Sequence, residues 1–140
     1  MVTVDEFLAR PLVAHLATAG PTVRPIWFLW DGAAFWWLTG DWSGLERALA
    51  RDASVALVID SCDLATGEVL AVTVRGHAEI VPWQRETAVR KLRKYLGADE
   101  TRWPEQRFRR PLEDGTTRLV RLQPDKPPVL RDLSFTSGGL

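Results

Sequence analysis

Five of the seven tryptophans, Trp27, Trp30, Trp36, Trp37 and Trp42, fall between positions 27 and 42. Their flat apolar faces can fill a core or line a slot for a planar aromatic ligand. Pro25 lies just ahead of them, inside a run (residues 22–30, TVRPIWFLW) that otherwise has strand composition. Proline gives no N–H to a ladder, so this strand is an edge, carries a bulge or borders a ligand, which singles out Arg24, Pro25, Ile26 and Trp27. Further on, Thr39, Gly40, Asp41 and Ser43 bring hydroxyls and a carboxylate to the expected start of a helix. Free backbone N–H groups there suit a phosphate, and the same residues equally make an ordinary N-cap.

Other reactive side chains lack companions. His15 sits among apolar residues with no acid or nucleophile nearby in sequence and reads as structural. Cys62, the single cysteine, has no activating neighbour, and no Cys/His cluster has metal-ligand spacing. Lys plus Arg and Asp plus Glu balance at 18 each, so no net field favours nucleic acid or an anionic membrane. Without a signal-like N-terminus or a long apolar segment, the expectation is a soluble, cytoplasmic protein. Basic residues do gather in two places. Arg85, Arg90, Lys91, Arg93 and Lys94 surround the apolar stripe Val89, Leu92 and Leu96, as a solvated helix face or an anchor for an anionic ligand tail. Arg102, Arg107, Arg109 and Arg110 surround Trp103 and Phe108 in an irregular stretch, residues 98–115, of the kind that serves function or a partner.

These residues need a scaffold, and local pattern supplies one. Thr3 and Glu6 form a capping box that opens a helix over residues 4–9. A strand follows in PLVAHLAT, then a hairpin joins residues 22–30 to 34–39 through an Asp31-Gly32 turn, with Trp36 and Trp37 on opposite faces. A helix to about Arg51 buries Leu45, Ala48 and Leu49. Residues 54–60 form a strand, 61–67 a polar loop with Cys62, and 68–81 a long strand kinked by a bulge at Gly76. An amphipathic helix over residues 82–96 ends at Gly97, and strands over 117–123 and 129–133 close the chain. The sum is mainly β: a small antiparallel barrel with peripheral helices, as one domain over residues 1–135 with a flexible tail at 136–140. So many aromatics on a short barrel would leave a large apolar patch, which predicts a homodimer.

The motifs recur in a particular order: Arg24-Pro25-Ile26-Trp27-Phe28, Trp30-Asp31-Gly32, Leu38-Thr39-Gly40, Ser43, residues 47–52 (RALARD), residues 55–58 (VALV), residues 74–80 (VRGHAEI), then the closing strands. This order resembles the FMN-binding split β-barrels of the pyridoxamine 5'-phosphate oxidase-like superfamily. The resemblance implies a six-stranded antiparallel split barrel that dimerises, with a flavin in the groove between subunits and a small-molecule substrate reduced or oxidised by hydride transfer. It implies that Arg24, Pro25, Ile26 and Trp27 run beside the ring, that Thr39, Gly40 and Ser43 approach the phosphate with Trp42 beside them, and that Arg47 supplies charge. Leu45 stands where family members often carry a phosphate-pairing lysine. The same fold also serves coenzyme F420, whose acidic tail suits the arginines of the third helix or of residues 98–115. A binder of heme or another flat aromatic, or a cofactor-free dimeric module, is the non-enzymatic alternative. No protein side chain is assigned as acid or base, because the implied groove is mostly aromatic and apolar.

Overall fold

The computed structural model of the chain describes residues 1–136; the expected tail lies, beyond Thr136, outside the described residues. Helix α1 (Val4–Leu8) opens on the full capping box, with Glu6 N donating to Thr3 Oγ1 at 3.1 Å and Thr3 N to Glu6 Oε2 at 3.4 Å. Then come β1 (Ala14–Thr18), β2 (Thr22–Ile26), β3 (Leu29–Trp30), β4 (Phe35–Gly40), α2 (Leu45–Arg51), β5 (Ser54–Asp63), β6 (Glu68–Val81), α3 (Arg85–Leu96), β7 (Thr117–Pro124) and β8 (Arg131–Asp132). All strand pairs are antiparallel.

The strands follow the order β2-β1-β5-β6-β7-β4-β3, with β8 on β6. The ends of that order, β2 and β3, are separated in sequence by only Trp27 and Phe28. The sheet must therefore curl until its ends meet, forming a barrel with a seam that no ladder closes. The mainly β, antiparallel split barrel expected from sequence is thus present, with six strands of five or more residues and two of two residues each among the described residues. Inside it Phe7, Leu16, Phe28, Phe35, Trp37, Leu57, Ile59, Val72, Val120 and Leu122 form one core. Burial of each such side chain contributes about 1.5–3 kcal/mol before the entropy of ordering is counted. Trp37 belongs to this core and Trp36 to a separate cluster with Leu29, Ala34 and Leu119, as alternation requires.

Several local expectations change. The run 22–30 is two strands: Pro25 sits on the edge strand β2, and the chain then leaves β1 and pairs with β4 instead. The hairpin turn spans four residues, because the Asp31 carboxylate accepts from the N–H groups of Ala33 and Ala34 and from Trp36 Nε1, organising a wider loop than a two-residue turn. Cys62 lies in β5, opposite Val69, and not in a loop. No bulge interrupts β6 at Gly76, whose partners Val55 and Pro124 keep regular register. Glycine is required there for space, since a Cβ would collide with the Gln123 carbonyl oxygen. The final strand shrinks to Arg131–Asp132, paired with Ala71 and Leu70. Residues 98–115 are not featureless: helical turns at Glu100–Arg102, Glu105–Arg109 and Arg110–Leu112 pack Trp103 and Leu112 against α3. Among the described residues no helix is long and apolar enough to cross a membrane.

Candidate functional site

Between α3, these helical turns and the outer wall of the barrel lies a cavity of about 610 Å³. Pro25, Ile26 and Trp27 bring to it the end of β2, Leu38 and Thr117 come from the paired strands β4 and β7, and Lys91 and Leu92 come from α3. Arg107, Phe108, Pro111 and Leu112 form the remaining wall, with Val13 and Trp42 at its borders. Three rings are nearly parallel: Trp27 stacks on Tyr95 at 4.5 Å between centroids and lies 5.6 Å from Phe108, with interplanar angles of 1° and 6°. Such a wall presents flat apolar surface to a flat guest.

Helix α3 also closes the barrel seam. Phe28 has no ladder partner for its peptide groups, and α3 supplies them: Phe28 N donates to the Tyr95 hydroxyl at 3.1 Å, and Lys94 Nζ donates to Phe28 O at 3.0 Å. The Tyr95 hydroxyl passes its own proton to Leu12 O at 2.7 Å, while Lys94 reaches Leu8 O at 2.9 Å and lies 3.5 Å from the Phe28 ring centre. Burial pushes the Lys94 ammonium down to about 7, with repulsion from Lys91 adding to it. Two carbonyl oxygens and the Phe28 face favour its charged form in return. Lys91, only 7% exposed, is pushed down to about 8 by burial and has the Trp27 ring, 5.8 Å away, as its neighbour.

A second group of polar residues surrounds the β4–α2 turn. Thr39 Oγ1 and Ser43 Oγ are 2.6 Å apart, Ser43 Oγ accepts from Leu45 N at 3.1 Å, and Arg24 Nη1 donates to Ser43 O at 3.3 Å. The helix cap is Gly44, at φ 67°, so neither Asp41 nor Ser43 is the N-cap that the sequence suggested. Trp42 is 75% exposed and its ring edge rests on Gly40, which leaves no room there for a Cβ.

A model of the family named for pyridoxamine 5'-phosphate oxidase matches residues 3–126. The chain belongs to the pyridoxamine 5'-phosphate oxidase family. No curated protein sequence matches it. Among solved structures it is similar to an F420 reductase, at 21% identity over 94% of this chain and 98% of that one, with a TM-score of 0.65. It is also similar to a conserved hypothetical protein from Mycobacterium tuberculosis, at 20% identity over 100% and 89% with a TM-score of 0.70. The heme storage protein HutZ from Vibrio cholerae aligns at 17% identity over 92% and 91%, with a TM-score of 0.67. At these identities the likeness describes the fold.

In this member of the pyridoxamine 5'-phosphate oxidase family the residues singled out by sequence fall into two groups. Pro25, Ile26, Trp27 and Trp42 line the cavity, whereas Arg24, Thr39, Gly40 and Ser43 gather at the neighbouring turn, joined through Gly40, which pairs with the cavity residue Thr117. Arg47 is exposed on α2 and has no hydrogen bond or ion pair among the described residues. Leu45, 1% exposed, sits in the barrel core, so its position cannot present a charge to a ligand at the turn. The cavity residues that sequence reasoning did not single out are Val13, Leu38, Leu92, Pro111, Leu112 and Thr117. Lys91, grouped by sequence with the basic residues around the apolar stripe, instead shares the inner stripe of α3 with Ala88, Leu92 and Tyr95, a spacing the sequence already carries. Neither His15 nor Cys62 lines the cavity, although His15 pairs across the ladder with the lining residue Pro25, and the described residues contain no group of His, Cys, Asp and Glu able to hold a metal ion.

Proposed function

We propose that this protein is a cytoplasmic homodimeric oxidoreductase, a single domain over residues 1–135, that holds FMN with its ring in the cavity beside Pro25, Ile26 and Trp27. The observation that carries the reading is the cavity itself, an apolar space with parallel aromatic walls beside the free edge of β2, in a chain of this family. The group fits the residues present, because the lining combines flat apolar surface with a buried, unpartnered Thr117 Oγ1 and a lysine. FMN, when bound, supplies the hydride chemistry. The protein's part is to orient the ring, to exclude water with Trp27, Leu92, Phe108 and Leu112, and to offer hydrogen bonds from the β2 backbone. Arg24, Thr39, Gly40 and Ser43 form the phosphate end, with Trp42 beside them and Arg47, exposed in α2's first turn and unpaired among the described residues, as a cation for it. Dimerisation follows from the apolar surface left around this edge, where Val13, Val23 and Trp42 are all exposed.

Arg107, which lines the cavity, favours coenzyme F420 as a second reading, since its guanidinium suits an acidic cofactor tail. A heme reading finds no comparable support, because the lining has no His, Cys, Tyr or Met to ligate iron. The deciding experiment titrates the purified protein with FMN and with F420, following tryptophan quenching and ring absorbance together. Saturable binding of FMN at micromolar concentration supports the first reading. Preference for F420, lost on Arg107→Glu, supports the second, and binding of neither overturns both in favour of a cofactor-free dimeric module.

A further inference from the structure

Two buried polar groups of the cavity have no hydrogen-bond or ion-pair partner among the described residues. Thr117 is 8% exposed and its Oγ1 makes no hydrogen bond among the described residues. Lys91 has no hydrogen bond and no ion pair among the described residues, only the face of Trp27. The charges nearest it add to the imbalance: Lys94 repels it along α3, Arg107 shares the same lining, and no Asp or Glu lines the cavity. A buried ammonium without a counter-charge is costly, and it is tolerated where a ligand completes it. The aromatic planes around it narrow the shape of that ligand to a flat one.

We infer that the cavity is a receptor for a planar aromatic ring bearing a negative charge, with Lys91 as counter-charge, Thr117 Oγ1 as hydrogen-bond donor and the parallel rings of Trp27 and Phe108 as the wall that sets its plane. The inference deepens the proposed function and rests on it only in taking the same cavity as the ligand seat. A neutral ring of equal size gains the stacking but leaves the ammonium unpaired, so the discrimination resides in the charge. The anion is either the cofactor ring itself or a small aromatic acid beside it.

The test is calorimetric titration with 2-naphthoate and with 2-naphthylmethanol, two rings of one shape that differ in charge. The wild type binds the carboxylate about tenfold or more tightly than the alcohol, a ratio in the range expected for one charge-assisted hydrogen bond. Lys91→Met removes that preference and leaves the alcohol within about twofold, Lys91→Arg retains it, and Thr117→Val weakens the carboxylate about threefold or more. Should Lys91→Met fail to fold, Thr117→Val and Lys91→Arg still decide. Equal affinities, a preference unchanged in Lys91→Met, or binding of neither compound overturns the inference. Repeating the titration with saturating FMN separates the sources: competition seats the anion where the ring lies, and additive binding seats it alongside. FMN binding without any preference for naphthoate sinks the charge pairing and spares the FMN reading; the preference without FMN binding does the reverse.

Discussion

The indole of Trp27 lies flat against the phenol of Tyr95, their centroids 4.5 Å apart and their planes 1° from parallel. One side chain of α3 thereby serves two structures, since the ring of Tyr95 backs the cavity wall while its hydroxyl bridges Phe28 N and Leu12 O across the barrel seam.

The two roles separate by substitution. Tyr95→Phe keeps the stack but leaves the Phe28 N–H and the Leu12 carbonyl unpaired, which costs about 1–3 kcal/mol in urea unfolding. Ligand affinity changes less than about twofold in that variant. Trp27→Leu removes the ring that holds Tyr95 and Phe108 parallel and weakens a planar ligand by about three- to tenfold, the range of one aromatic pair.

Stability should rise with pH above neutrality. Lys91 and Lys94 titrate at about 8 and about 7 in the folded chain against 10.5 for an unperturbed lysine. Between those values the unfolded chain binds more protons than the folded one, so the folded state gains as protons leave. Tyr95, raised by burial to about 12 from 10.0, reverses the trend above pH 10. Lys91→Met therefore flattens the rise measured by urea unfolding between about pH 7.5 and about pH 9.5, by about 1–2 kcal/mol. A wild type whose stability is level across that range contradicts the assignment.

Gly76 is constrained by a backbone neighbour, the Gln123 carbonyl oxygen across β6 and β7. Gly76→Ala must push the two strands apart, with a loss of about 1–3 kcal/mol as in other overpacked sites. The thermal midpoint of the variant measures it, and an unchanged midpoint would mean that the strands part freely.

Leu45→Lys tests whether the phosphate-pairing lysine that the resemblance implies for this position can be supplied. Because Leu45 is in the core, the substitution buries an ammonium among apolar side chains and destabilises by about 3 kcal/mol or more. FMN affinity does not improve. Tighter FMN binding with intact stability would show that α2 rotates to present this position.

What the sequence made legible was local. The capping box at Thr3 and Glu6, the alternation of β6 and the apolar stripe of α3 each depend on residues within a few positions of one another, and each appears where expected. The break of the 22–30 run was not legible, because a strand that changes partner at Trp27 and Phe28 keeps the same composition throughout. The burial of Lys91 was hidden for a different reason: charge ordinarily marks a solvent face, and a helix that buries one lysine in a cavity and a second against carbonyl oxygens overrides that prior. Of the site, the aromatic edge at residues 25–27 was visible from Pro25 and the tryptophans. The far wall came from helical turns whose contacts are set by tertiary packing.

The seam has a kinetic consequence. The barrel is held shut at Phe28 not by a neighbouring strand but by Lys94 and Tyr95, two residues of the helix that also carries Lys91 into the cavity. Any excursion of α3 that frees the seam also removes a wall of the cavity, so a guest held there must leave or resist the motion. Solvent exchange of the Phe28 amide proton is therefore a clock for occupancy, running slower in proportion to the time the cavity is filled.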